Sequence, residues 1–101
     1  MTYRVAFEPS SRADLRSIAR YITRKNSAQV ARQFTRDITA HCLSFETFPY
    51  RGTARPELFL GARTTGFRNT ITILFAVSEE SRLVTIIAIL YGGRSLEELF
   101  V

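Results

Sequence analysis

Nine residues near the end of the chain, Leu83-Val-Thr-Ile-Ile-Ala-Ile-Leu-Tyr91, are apolar at almost every position. Read as a strand, such a run puts apolar side chains on both faces, so both faces must be covered and the strand belongs inside a sheet. As a helix it would reach only about half of the ~20 residues that span a bilayer, which excludes a membrane anchor here. Two further strand-like stretches precede it: Ala62 to Phe67, short and broken by Gly66, and Thr70 to Val77, rich in Ile, Thr, Leu and Phe. Arg68-Asn69 and Ser78-Glu79-Glu80-Ser81 are connections of hairpin length, so these three strands are expected to pair antiparallel.

The first half of the chain switches period. Tyr3, Val5 and Phe7 alternate over residues 2–8, the mark of a half-buried strand that Pro9-Ser10 stops. From about Ser11, Leu15, Ile18, Ala19 and Ile22 fall at i, i+3, i+4 and i+7, one stripe of an amphipathic helix, with Pro9 and Asp14 as start signals. Asn26-Ser27 interrupts, and either can cap a second helix whose face is Val30, Phe34, Ile38, Cys42 and Phe45, ending before Pro49. So short a break makes the two helices antiparallel neighbours. Residues 50–61 read as a loop, and Ser95-Leu96-Glu97-Glu98 has capping-box form, predicting a short terminal helix. The expected fold is α+β over residues 1–101 as a single domain: β-α-α-β-β-β with a short C-terminal helix, an antiparallel β-sheet backed by an N-terminal helical hairpin.

At 101 residues the chain can bury roughly two-thirds of its unfolded surface, enough for one core. The single cysteine, Cys42, permits no internal disulfide, and with one histidine no Cys/His metal site is expected. Residues 1–4 show no secretory leader, so the expected location is cytoplasmic. Fourteen basic residues, thirteen of them Arg, against nine acidic ones give a net charge of +5, which favours an acidic partner, nucleic acid or protein. GC-rich coding would also raise Arg over Lys.

Groups able to move protons near neutrality are scarce. His41 lies within the second helix with Asp37 one turn away, where a helix-surface hydrogen bond accounts for the pair without catalysis. Cys42, about 100° round the helix from His41, falls on the apolar stripe as a core residue. Glu79-Glu80 and Glu97-Glu98 fit a turn and a helix start, and no phosphate-cradling glycine loop occurs. The cations are better ordered. Arg12, Arg16, Arg20 and Arg24 recur every fourth residue along the first helix, a ridge that a solvated face explains and that an anionic partner would relieve. Arg51, Arg55, Arg63, Arg68 and Arg94 can meet only through folding. Tyr91, beside Gly92-Gly93-Arg94, suits either a ligand or an amphipathic strand end.

The order of these elements and the residues on them resemble the ParE toxins of the RelE/ParE toxin–antitoxin superfamily. The resemblance is carried by Tyr3-Arg4-Val5-Ala6-Phe7, Ala13-Asp14-Leu15 with Ile18 and Tyr21-Ile22, and Ala31 with Phe34. It continues through Phe48-Pro49-Tyr50-Arg51-Gly52-Thr53, Glu57-Leu58, Gly61-Ala62-Arg63 and Ile89-Leu90-Tyr91-Gly92-Gly93-Arg94. Phe59-Leu60 departs from it, standing where relatives usually carry a basic residue and proline.

The resemblance implies a type II toxin that needs no cofactor, sits in a toxin–antitoxin hetero-oligomer with a ParD-like antitoxin, and inhibits DNA gyrase by binding, with nucleic acid met only through these partners. The alternative within the superfamily is a ribosome-dependent mRNA endonuclease of the RelE type, which uses basic residues with a tyrosine or histidine. This chain matches that set poorly, which favours a binding inhibitor over an enzyme; a non-toxic binding module is a third reading. No catalytic residue is assigned. The expected partner-binding residues are Arg12, Arg16, Arg20, Arg63, Tyr91 and Arg94.

Overall fold

The structure is a computed structural model and describes residues 2–92. Its elements are β1 (Arg4–Phe7), α1 (Pro9–Lys25), α2 (Ala28–Leu43), a 3-10 turn (Ser44–Glu46), β2 (Thr53–Ala54), β3 (Ala62–Phe67), β4 (Ile71–Ser78) and β5 (Leu83–Tyr91). The five strands form one sheet in the order β1-β5-β4-β3-β2. The expected terminal helix, with Arg94, lies outside the described residues.

The helices follow their sequence signals with small shifts. Glu8 is extended, as the residue before a proline tends to be, so Pro9 takes the first helical position and α1 begins two residues before Ser11, its expected start. Asp14 therefore lies beyond the first turn and does not act on the helix dipole; its carboxylate is used elsewhere. Ser27 caps α2, its side chain accepting from the Val30 N–H at 3.1 Å, while Asn26 ends α1. Ile38, Cys42 and Phe45 on the second stripe are wholly buried, but Val30 at its start is 43% exposed. The apolar stripe thus runs off the end of the core.

The predicted antiparallel pairings hold for β3–β4 and β4–β5. Arg68 and Asn69 both have positive φ, 51° and 61°, as the central residues of a type I′ turn do, and with Thr70 they make a three-residue connection between Phe67 and Ile71, one longer than expected. The sheet as a whole is mixed, because β1 pairs β5 in parallel, Arg4 opposite Leu83 through Phe7 opposite Ile86. A short turn dictates antiparallel pairing only between the strands it joins, and β1 reaches the sheet through the helical hairpin instead. The loop after the helices contains β2, two residues pairing with β3, too short to show a period. Gly52 leads into it at φ 76°, where a Cβ would fall 2.1 Å from the Thr64 carbonyl oxygen, so no other residue fits.

β5 holds one residue more than its partner. Leu74 faces Ala88 and Phe75 faces Ile86, which leaves Ile87 bulged out of register. The extra residue resets the alternation. Val84, Ile86, Ile89 and Tyr91 all face the helices, where the first three join Ile18, Ile22, Ile38, Phe45 and Phe75 in the main core. Ala88 and Leu90 face the opposite side with Ala62 and Leu74, under Leu58 and Phe59. The apolar run of β5 is covered on both faces, as its composition demanded. Each large side chain so buried contributes about 1.5–3 kcal/mol.

Candidate partner-binding groove

The last turns of α1 and the end of β5 do not close on one another. Between them lies a groove of about 460 Å³ lined by Asp14, Ser17, Ile18 and Tyr21 from α1 and by Thr70, Ile89, Tyr91 and Gly92 from the sheet. It opens past Tyr21 and Tyr91 into a second hollow of about 690 Å³, where Lys25, Val30, Phe34 and Arg68 meet. The Val30 end of the second helical stripe forms part of this wall. An aromatic ladder floors it: Tyr21 meets Tyr91 edge-on at 5.4 Å, and Tyr91 meets Phe34 at 6.0 Å.

Cations stand around this apolar lining. The Lys25 ammonium lies 5.9 Å from the Tyr21 ring centroid, and the Arg68 guanidinium lies 4.9 Å from that of Phe67. Arg68 is tied to Asp37 at 2.8 Å, while Asp37 also accepts from Gln33 at 2.9 Å. These two hydrogen bonds, Gln33 first, hold the Asp37 carboxyl below its ordinary range. Arg20 donates to Ser17 Oγ at 3.1 Å, which leans its guanidinium onto the groove wall.

The predicted partner-binding residues are therefore not one cluster. Tyr91 lines the groove, and Arg20 reaches its edge through Ser17; Arg16 is exposed on the same helix, and Arg12 reaches back toward the Phe7 carbonyl at 3.5 Å. Arg63 sits at the other end of the sheet, donating to the carbonyls of Tyr50, Arg51 and Gly52 at 2.7, 3.1 and 3.3 Å, and so fastens that loop onto β3. By register Arg63 faces Phe75 whereas Tyr91 faces Ile71. That separates them by about 13 Å along the strands and about 10 Å across them. Tyr21, Lys25, Phe34 and Arg68 join the groove from outside the expected partner-binding set. Arg68 belongs to the second basic group of the sequence, and Tyr21 and Phe34 to the residues that carry the resemblance; Lys25 has no such signal.

The titratable groups weighed for catalysis are occupied otherwise. Asp37 pairs with Arg68 rather than His41. The His41 ring packs on Phe67 at 4.9 Å and Phe45 at 5.4 Å, its Nε2 buried without a hydrogen bond, and burial, helped by the Arg51 charge, lowers its pKa. Cys42 is fully buried and its thiol is pushed up to about 12. Glu79 accepts from both Tyr3 and Tyr50, joining the start of β1, the loop before β2 and the β4–β5 turn. Among the described residues no group of three or more His, Cys, Asp or Glu is placed to hold a metal ion, and no helix is long and apolar enough to cross a membrane.

The family model for the ParE toxin of type II toxin-antitoxin system, parDE, matches residues 5–96. The chain belongs to the ParE toxin family. It is thus a toxin of the type II toxin–antitoxin class. No curated protein matches the sequence. Among solved structures, this ParE-family chain resembles one from the chromosomal ParDE system of P. aeruginosa, with a TM-score of 0.76 and 18% identity over 90% of this chain and 97% of that one. It also resembles a chain of the RelBE2 toxin–antitoxin complex of Mycobacterium tuberculosis, with a TM-score of 0.69 and 18% identity over 93% and 95%. The isolated E. coli RelE toxin follows, with a TM-score of 0.58 and 15% identity over 97% and 93%. The likeness is one of fold, and it covers 90% or more of this chain in each case.

Proposed function

We propose that this ParE-family toxin acts as a single domain in the cytoplasm, by binding: an acidic, amphipathic ParD-like antitoxin holds it inactive in a hetero-oligomer, and the freed toxin inhibits DNA gyrase. The observation that carries this reading is the groove between α1 and β5, apolar and aromatic inside, with Lys25 and Arg68 in its lining and Arg20 bonded to Ser17 on its wall. Apolar side chains of an amphipathic segment would fill it while carboxylates meet the rim, with Arg16, Arg20 and Tyr91 facing the antitoxin. Arg12 and Arg63 already spend hydrogen bonds on backbone carbonyls, and Arg94, three residues after Tyr91 in sequence, joins the set by that proximity alone.

A binding mechanism also agrees with the separation of Arg63 from Tyr91. An endonuclease of the RelE type would need a cation at the phosphate and a proton-shuttling group beside it, and these two residues stand apart. Expressing the toxin without its antitoxin separates the readings. Filamentation with a DNA-damage response, before any fall in protein synthesis, is the expected outcome. Immediate arrest of translation with mRNA cut on ribosomes would replace it with the nuclease, and growth indifferent to expression would leave a non-toxic binding module.

A further inference from the structure

The far edge of β5 is completed by substitutes and then, among the described residues, left open. β1 pairs with β5 only from Leu83 to Ile86, because the chain turns into α1 at Pro9. Beyond that point single groups stand in for the missing strand. The Glu8 N–H donates to the Ile86 carbonyl at 2.9 Å, Ser10 Oγ donates to the Ile87 carbonyl at 2.7 Å, and Asp14 Oδ2 accepts from the Ile89 N–H at 2.9 Å. On the β4 side, the Gly92 N–H donates to the Thr70 carbonyl at 2.9 Å. Backbone groups of a strand alternate in direction, so Tyr91, one residue earlier, turns its N–H and carbonyl away from β4, the same way as Ile89. Among the described residues no strand meets this side of β5 after Ile86, and these groups open on the groove beside α1.

Resting on the antitoxin reading above, we infer that Ile89–Tyr91 is a strand-addition site for an extended segment of the antitoxin. A bare strand edge is a template for pairing, and main-chain hydrogen bonds would supply affinity while side-chain pockets supply choice. An added strand runs about 4.8 Å from β5, in the space the groove provides. Its main chain pairs with the Ile89 carbonyl and the Tyr91 N–H. One apolar side chain packs against the touching Tyr21 and Tyr91 rings, and neighbouring carboxylates face Arg20 and Lys25. The charge selects the occupant: a second copy of a chain with net charge +5 would bring like charge to a basic rim. Asp14 fixes the register, since it already occupies the Ile89 N–H that a longer added strand would claim.

The test is amide hydrogen exchange by NMR on the full chain, free and purified with the antitoxin encoded beside it. The Tyr91 amide should exchange freely in the free chain and slow at least tenfold in the complex, with an intermolecular backbone NOE at Tyr91 and little change at Ile89. A complex that forms with the Tyr91 amide unchanged, slowed without that NOE, or already protected in the free chain overturns strand addition while the antitoxin reading stands. Failure of any complex to form overturns both.

Discussion

The imidazole of His41 lies against Phe45 and Phe67 with one ring nitrogen unpaired, and the Arg51 guanidinium, seated 5.0 Å over Phe45, adds a like charge to the cation it would become. Both effects place its folded pKa below its unfolded value near 6.5. The unfolded chain then binds the proton first. Stability should be whole above that unfolded value and fall as the pH drops from there toward the folded pKa, with no further loss from this group below it. Denaturant unfolding at pH 7.5, 6.0 and 5.0 checks this against His41→Phe, which keeps the ring packing and removes the titration. The slope over that window should be shallower in the variant. An unchanged slope would place the proton linkage in other groups.

Elements as wholes were readable where one physical signal controlled them. The 3.6-residue stripes gave both helices, and Arg68-Asn69 gave the hairpin turn, because those patterns are local. The parallel seating of β1 and the bulge at Ile87 were not readable, since apolar residues at nearly every position of β5 hide which side each one faces. Of the residues lining the groove, the sequence marks only Tyr91 as partner-binding. Phe34 and Arg68 reach the groove from α2 and from the β3–β4 turn, elements that only the folded sheet brings beside α1. Asp14 is the sharpest case: a carboxylate that reads as a helix-start signal instead holds β5 at the bulge. Asp14→Ala should leave the Ile89 N–H without its acceptor and cost about 1–2 kcal/mol in denaturant unfolding. Exchange of the Ile89 amide should quicken more than that of Val84 in the core. Equal quickening at both would mean that Asp14 supports the fold generally and not the bulge.

Over the whole molecule, charge is unevenly matched. The net charge is +5, and only two ion pairs, Arg55 with Glu57 and Arg68 with Asp37, occur among the described residues. The exposed α1 arginines therefore add up to a field with few internal counter-charges, one that speeds encounter with an acidic partner. Affinity for the antitoxin should weaken by about tenfold or more between 0.05 and 0.5 M NaCl as screening shortens that field's reach. Combined Arg16→Gln and Arg20→Gln should lower the association rate and flatten the salt dependence, leaving dissociation, governed by the apolar groove, nearly unchanged. Calorimetry and stopped-flow binding measure these separately. Salt-independent binding would assign the contact to the apolar lining alone.

The bulge at Ile87 makes the count of residues between Ile86 and Ile89 as important as their identity. Deleting one would rotate the end of the strand by half a period, sending Ile89 and Tyr91 to the face under Leu58 and Phe59 and emptying the aromatic floor beside Tyr21. Substitutions at Ile87 can be absorbed; a frame-preserving loss of that codon would dismantle the groove without altering a single residue that lines it.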